Sequence, residues 1–482
     1  MCIRDRSGPV VGRRTARLEV DQRADTTAYG GLALAHGLAT ALGVAAAIDE
    51  RVEVLKLHMP YHESDHLLVQ AYNLFVGGTC LQDLQNLQDA EAVRRLLGAV
   101  RLPDPTTAGD FLRRFGKRDL KDLQIALDEV RVRAWSCLPK AKRRQATIDM
   151  DSTIKPVYGE CKQGADFTYN RKYGYHPLLV TLSETGECLR LINRPGNVAS
   201  EAGIEREIAT VLPLVAEHFE RVYLRGDSKF CRRKLVTMAD QQGACFAFVK
   251  EQSPNLAAIV ESLPRTAWTP FHGHLQKERV SKTGTTRRKR PRRKQRIAKQ
   301  RKYRNLRTVR EWVAETGYRL TDTEVDCRLV IKRKKLEVRD RQGQLFTDYR
   351  YQYVLTNIPA SEMDAVEVVR FAYKRCHQEN AIEQLKNGLG GLRMPTGELL
   401  ANGVFMLAAQ LAWNLRAWLS LLALPEATLR WEWKWFRQAF VYVGARVVEH
   451  ANRVVVRMTR SHRWLTEILR AHERLRRLAP AL

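Results

Sequence analysis

The sequence predicts a mixed α/β protein: a central run of strands flanked on both sides by helical regions. Three observations carry this. Between residues 145 and 250 the hydrophobic period is that of strands, broken twice by amphipathic helical stretches. On either side of that run, apolar residues recur at helical spacing. And 482 residues at 44% hydrophobic and 28% charged can bury a large core, in two to four domains of roughly 100 to 200 residues each. That composition excludes a mostly disordered chain.

Residues 1–26 are set aside as a non-native or disordered start, because Met1 to Ser7 are charged, lack an apolar run and show no secretory signal. From 27 to 140 the chain reads as helices, with Ala/Leu periodicity at 31–49, 64–75, 80–89 and 108–134. Gly77 and Gly78, Pro103 and Pro105 punctuate it, and Thr106 and Thr107 are candidate N-caps. This region is expected to bind DNA, with a helical platform lacking nucleic-acid contact as the alternative.

Strands follow at Gln145–Asp151, His176–Ser183 and Glu187–Arg194, the last two as a hairpin about residues 184–186. A helix at 200–219, a strand at Arg221–Asp227, a helix at 228–242 and a strand at 244–250 complete a β-β-β-α-β-α-β series. Residues 251–360 read as a β-rich insertion. Within it, 327–339 and 344–357 alternate like paired strands about Gln342-Gly343, and 287–310 form a basic arm of 14 Lys/Arg in 24 residues without an acid. A helix from Ser361 to Leu389 ends at the glycines of 388–391. The core therefore comprises 141–250 and 361–395, and 396–482 is expected to be a C-terminal helical region. Strand series, insertion and helix together resemble an RNase-H-like nuclease core.

The 81 Lys+Arg against 53 Asp+Glu leave a formal charge of +28, which calls for a polyanionic partner, DNA before an anionic membrane. The arm supplies half of that excess and offers phosphate contacts without sequence information. The apolar stretch 403–424 is long enough to span a bilayer, but Gln410, Asn414 and Arg416 interrupt it, so a buried helix and no membrane partner are expected. Nine scattered cysteines with no CxxC pair exclude a zinc site of ordinary spacing and fit reduced thiols in a cytoplasm.

Phosphodiester chemistry on such a core needs carboxylates for two Mg²⁺ (or Mn²⁺) ions roughly 4 Å apart. Asp149 and Asp151 end the first strand, and their spacing of two puts both on one face. Asp227 ends the fourth strand, where helix capping is the plainer role for a single acid. On the helix at Arg375–Lys386, the residues Arg375, Glu379, Ile382 and Lys386 line one face within about 60° at roughly 100° per residue. That face offers a carboxylate between two cations, the pattern of a metal ligand beside phosphate-binding groups or of a surface salt-bridge ladder. Glu383, about 80° from Arg375, competes with Glu379.

The runs IDMDST (148–153), VYGECKQGADFTYNRKYGYHPLL (157–179), RPGN (194–197), RGDSKF (225–230) and ENAIEQLKNGLGG (379–391) resemble the DDE transposases of bacterial insertion sequences. The resemblance implies Asp151, Asp227 and Glu379 as the metal-binding catalytic triad, with Asp149 and Glu383 as weaker candidates. It also implies a Tyr-Arg-Glu-Lys signature with Arg375 and Lys386 on DNA phosphate. The family tyrosine would fall on Ala372; Tyr373 stands one place off, about 160° from Arg375, and is a weak site. The function implied is binding of terminal inverted repeats, cleavage of DNA ends and joining to target DNA, by a protein of the bacterial cytoplasm and nucleoid that pairs as a homodimer when two ends are synapsed. Trp268 or Trp312 of the insertion would stack on a flipped base or pack in the core. A metal-dependent nuclease that does not join, and a DNA-binding derivative that does not cut, are the alternatives.

Overall fold

The computed structural model describes residues 25–271, 305–339, 345–374, 376–450 and 453–478. After a two-residue strand, β1 (Thr26–Thr27), the N-terminal part is helical: α1 (Leu32–Ala41), α2 (Val44–Asp49), α3 (Glu63–Val76), α4 (Leu84–Gln88), α5 (Glu91–Leu96), α6 (Pro105–Arg113) and α7 (Lys117–Ser136). The cap of α6 is Asp104, which accepts from the backbone N–H groups of Thr106 and Thr107. The two threonines are donors to the cap and not caps themselves, because Pro105 fills the first helical position.

The strand series then forms one sheet. Strand β2 (Gln145–Ser152) is followed by β3 (Lys155–Pro156), β4 (Asp166–Phe167) and β5 (Tyr173–Tyr175), which pair among themselves as a small flap. Next come β6 (Leu178–Leu182), β7 (Glu187–Ile192), α8 (Ile204–His218), β8 (Arg221–Gly226), α9 (Arg233–Gln241) and β9 (Cys245–Lys250). Their order across the sheet is β7-β6-β2-β8-β9. The first three strands are antiparallel, and β8 and β9 run parallel to β2. This is the RNase-H-like mixed sheet: two crossover helices return the chain to parallel strands, while the hairpin lies on the other side of β2.

Beyond α10 (Pro254–Ser262), the strands β10 (Thr269–Pro270), β11 (Asn305–Arg319), β12 (Asp326–Arg339) and β13 (Leu345–Thr356) continue the same sheet. The link is antiparallel pairing of β13 with β9, so these strands widen the central sheet to nine. The last residues of the expected arm, 305–310, are strand; its remainder and the Gln342-Gly343 turn lie outside the described residues.

The chain returns through α11 (Ala365–Tyr373), α12 (Cys376–Glu383), a π-helical turn at Gln384–Leu389 and α13 (Leu399–Leu422). It ends with α14 (Trp433–Phe440), β14 (Ala445–His450), β15 (Arg453–Met458) and α15 (Leu465–Leu478). The hairpin β14–β15 corrects the expectation of helix there. Val447, Val448, Val454, Val455 and Val456 are β-branched and favour a pleated surface, and β14 gains β1 as its other neighbour.

Among the described residues no helix is long and apolar enough to cross a membrane. Helix α13 is buried within the protein, and its polar residues face the edge strand β7. The Asn414 side chain accepts from the Cys188 N–H at 2.8 Å and donates to its carbonyl at 3.0 Å, and Trp413 Nε1 donates to the Gly186 carbonyl. Arg416 stacks on Trp433 and Phe436, donates to the Trp431 carbonyl, and is pushed down to about 9 by burial. Behind the same edge, Glu187 is fully buried and accepts from the indoles of Trp135 (α7) and Trp418 (α13) at 2.7 and 2.8 Å. One carboxylate thus ties the N-terminal helices, the sheet and α13 together.

A second buried brace lies at the sheet centre. Arg225 of β8 holds both oxygens of Asp149 of β2, at 2.5 and 2.7 Å, and donates to the Phe371 carbonyl of α11 at 2.8 Å. Replacing Arg225 by Leu leaves Asp149 buried without its counter-charge and is expected to cost about 3–5 kcal/mol in denaturant unfolding, with much of the loss recovered when Asp149 is also made apolar. Asn414→Leu strands one N–H and one C=O of β7 and is expected to cost about 1–3 kcal/mol, with faster hydrogen exchange at Cys188.

Candidate active site

The strands β2 and β8 lie side by side in parallel, and their last registered pair is Asp149 with Arg225. Asp151 and Asp227 each stand two residues further on. The registered pairing stops at Asp149 and Arg225, so Asp151 lies near the end of β2 and Asp227 just past the end of β8, at the same end of two neighbouring strands. Both side chains are half-buried. Asp151 Oδ1 accepts from the Ser152 N–H at 2.8 Å, and Asp227 Oδ1 caps the turn 228–230 through the Lys229 N–H at 2.9 Å. The capping role foreseen for Asp227 is therefore present. Asp149 sits on the same face of β2 as Asp151 but one pleat further in, with both oxygens engaged by Arg225.

Glu379, the expected third acid, lies on the helical return. Gln378, only 2% exposed, accepts from Thr181 Oγ1 of β6 at 2.6 Å and donates to the Asp149 carbonyl of β2 at 3.4 Å. This seats α12 on the two strands, and the next residue, Glu379, is exposed beside them. Glu383 is also exposed and accepts from Asn387 at 2.7 Å. Lys386 is half-buried, and its Nζ donates to the carbonyl of Ile154, three residues past Asp151. Burial holds this ammonium below the ordinary lysine value; Lys155 and Lys172 add to the depression, and Glu383 and Asp151 oppose it.

A single straight helical face from residue 375 to 386 is not what the structure contains. Helices α11 and α12 are separate, and a π turn begins at Gln384. The widened turn lets Leu385 and Leu389 stay buried while Gln384 Oε1 accepts from the Trp433 N–H. Tyr373 ends α11, half-buried against an apolar cluster with Val368, Val369 and Phe371. Arg375 lies outside the described residues. In the widened sheet, Trp268 and Trp312 both face the guanidinium of Arg333, at 4.1 and 4.8 Å from their ring centres.

Sequence reasoning missed three supporting groups. These are Gln378, which carries no signal in the sequence, and Arg225 and His176, which stand there only as parts of strands and motif runs. His176 is buried, with Nδ1 at 3.0 Å from the Val198 carbonyl and Nε2 at 3.1 Å from Ser152 Oγ, next to Asp151. Burial lowers its basicity, which suits a neutral ring bridging two hydrogen bonds.

The donor chemistry of Asp151, Asp227 and Glu379, three carboxylates, suits a hard divalent cation. Among the described residues, the group with ligand atoms all within 4.8 Å of one another is a different one: Asp49, His62 and Glu63. Its carboxylates already serve the backbone. Asp49 accepts from the N–H and hydroxyl of Ser64, and Glu63 from the N–H groups of Val54 and Leu55. That cluster is accounted for as local scaffolding at the start of α3.

A search of curated proteins found no match. Among solved structures, a cryo-EM structure of a piggyBac transposase synaptic complex with hairpin DNA is similar at 10% identity, with 84% of this chain and 81% of that chain covered and a TM-score of 0.32. Residues 10–480 match the family described as transposase DDE domain group 1. With nearly the whole length matched, the chain belongs to the DDE transposase family.

Proposed function

We propose that the protein is a DNA transposase that binds the terminal inverted repeats of its element, cleaves the DNA ends and joins the freed ends to target DNA. The observation that supports this best is the position of Asp151 and Asp227 at the same end of the adjacent parallel strands β2 and β8, with Glu379 on the helix that Gln378 seats on β2 and β6. In this reading Asp151, Asp227 and Glu379 hold two divalent ions, Mg²⁺ or Mn²⁺. Bound there, the ions would supply Lewis-acid polarisation of the scissile phosphate and activation of water or a 3′-hydroxyl.

The other residues set the stage for that chemistry. Asp149 and Arg225 neutralise each other, so the carboxylate presented at the strand end is that of Asp151. The Ser152–His176 hydrogen bond holds the chain just after Asp151. Lys386, anchored on the Ile154 carbonyl, places positive charge next to the acids, where a phosphate diester would lie, and Arg375 is proposed for the same task from the sequence. Two copies would act together on paired ends.

Asp151→Asn, Asp227→Asn and Glu379→Gln are each expected to lower metal-dependent cleavage of repeat-end DNA by about a thousandfold or more while DNA binding persists. Cleavage by Asp151→Asn at the wild-type rate would reject the assignment, and 3′-hydroxyl products that never join a second DNA would reduce the activity to that of a nuclease. Removing residues 287–304, which carry 12 Lys/Arg and stop short of β11, is expected to weaken binding to all DNA and flatten the dependence of affinity on salt. An unchanged slope in a salt titration would place the arm away from the phosphate backbone.

A further inference from the structure

The flap β3–β5–β4 has no part in the chemistry described so far, yet it stands directly beside it. It hangs between the end of β2 and the start of β6, and the Thr153 N–H donates to the Pro177 carbonyl at its base. Its outer surface carries Tyr158, Phe167 and Tyr169, which are 95%, 66% and 78% exposed. Isolated apolar side chains at a surface need no explanation, but three large aromatic rings exposed on one small three-stranded element and its loops are a concentration of the kind found at binding sites.

The flap is not loosely attached. Lys162 Nζ donates to the carbonyls of Met394 and Thr396 at 2.8 and 2.9 Å, and the Gln163 N–H donates to the Gly397 carbonyl. Gly174 and Gly196 permit backbone approaches that any Cβ would block, at 2.2 Å from the carbonyl oxygens of Lys155 and Gly174 respectively. The rings are therefore held in place in water. Tyr169 rests against His176, with ring centres 5.7 Å apart, and His176 reaches Ser152 beside Asp151. One of the three rings, Tyr169, is thus linked through His176 and Ser152 to the segment that follows Asp151.

Cations surround the same ground. Burial holds the ammonium groups of Lys155 and Lys386 below the ordinary lysine value; Arg393 adds to the depression at Lys155, and Lys155 and Lys172 add to it at Lys386, where Glu383 and Asp151 oppose it. Gathering like charges in this way is unfavourable for the protein alone and is relieved by a polyanion. Rings for bases and ammonium groups for phosphates, side by side, match a nucleic-acid strand whose bases are not paired, because a duplex keeps its base faces inside.

We propose that the flap β3–β5–β4 binds unpaired nucleotides of the DNA end next to the cleavage site, stacking bases on Tyr158, Phe167 and Tyr169 and setting their phosphates against Lys155, Lys172 and Arg393. This rests on the transposase reading. The test uses the full chain in EDTA, which separates binding from cutting, with three fluorescent DNA probes: a single strand, a blunt duplex and a duplex with an unpaired end. The variant Tyr158→Ser/Phe167→Ser/Tyr169→Ser removes exposed rings only, and a thermal melt matching the wild type verifies its fold. It is expected to lose about tenfold or more in affinity for the single strand and the unpaired end, and less than about twofold for the blunt duplex. Lys172→Ser is expected to weaken all three probes. Wild-type affinity of the triple variant for the unpaired end, or an equal loss on the blunt duplex, would overturn the proposal while leaving the transposase reading intact. A wild-type chain that binds none of the probes would overturn both.

Discussion

The site depends on a buried pair of opposite charges. Arg225 and Asp149 stand opposite one another on the two central parallel strands, and each is nearly excluded from water. Such a pair is worth little as stabilisation in itself, because desolvation of both ions offsets their attraction. Its effect is on geometry. The guanidinium spends two donors on Asp149 and a third on the Phe371 carbonyl, which fixes β2, β8 and the end of α11 relative to one another. A slip of one residue between β2 and β8 would leave the pair unmatched, so the register of the two strands that carry Asp151 and Asp227 at their ends is enforced at the buried pair.

Gln378 extends the same logic to the third element. A buried amide facing a hydroxyl of β6 and a carbonyl of β2 has few other ways to satisfy its hydrogen bonds, and this sets where α12 begins. The π turn that follows then absorbs the mismatch between an exposed acid at 379 and buried leucines at 385 and 389. Glu187 performs a comparable task behind the sheet, where two indoles from distant helices converge on one carboxylate. The fold is thus an apolar core whose relative element positions are set by a few satisfied polar side chains.

Much of this was legible in the sequence because the hydrophobic period reports burial directly. The strands of 145–250 and the helices between them could be read in chain order; their order across the sheet came from the structure. The acids at strand ends were visible as charges closing apolar runs. What could not be read depended on distant partners. Asp149 and Asp151 are alike in sequence, and only Arg225, 76 positions on, makes one a brace and leaves the other at the strand end. The π turn is set by Trp433 and the buried leucines. The hairpin at 445–458 falls within a region expected to be helical, although its valines favour a strand. Strand β11 was hidden under the basic run, since Lys/Arg density masks the alternation beneath it.

The side chains that kept α13 from reading as a membrane span also decide what the sheet can do at its margin. Asn414 and Trp413 take the outward backbone groups of β7, so an incoming strand finds no ladder to join there. At the opposite end the covering strand is β10, two residues long with a proline as its second. The sheet therefore has a direction of growth. Among the described residues, strand addition is opposed beside β7, and at the other margin a second copy would meet the exposed arginine Arg310 of β11.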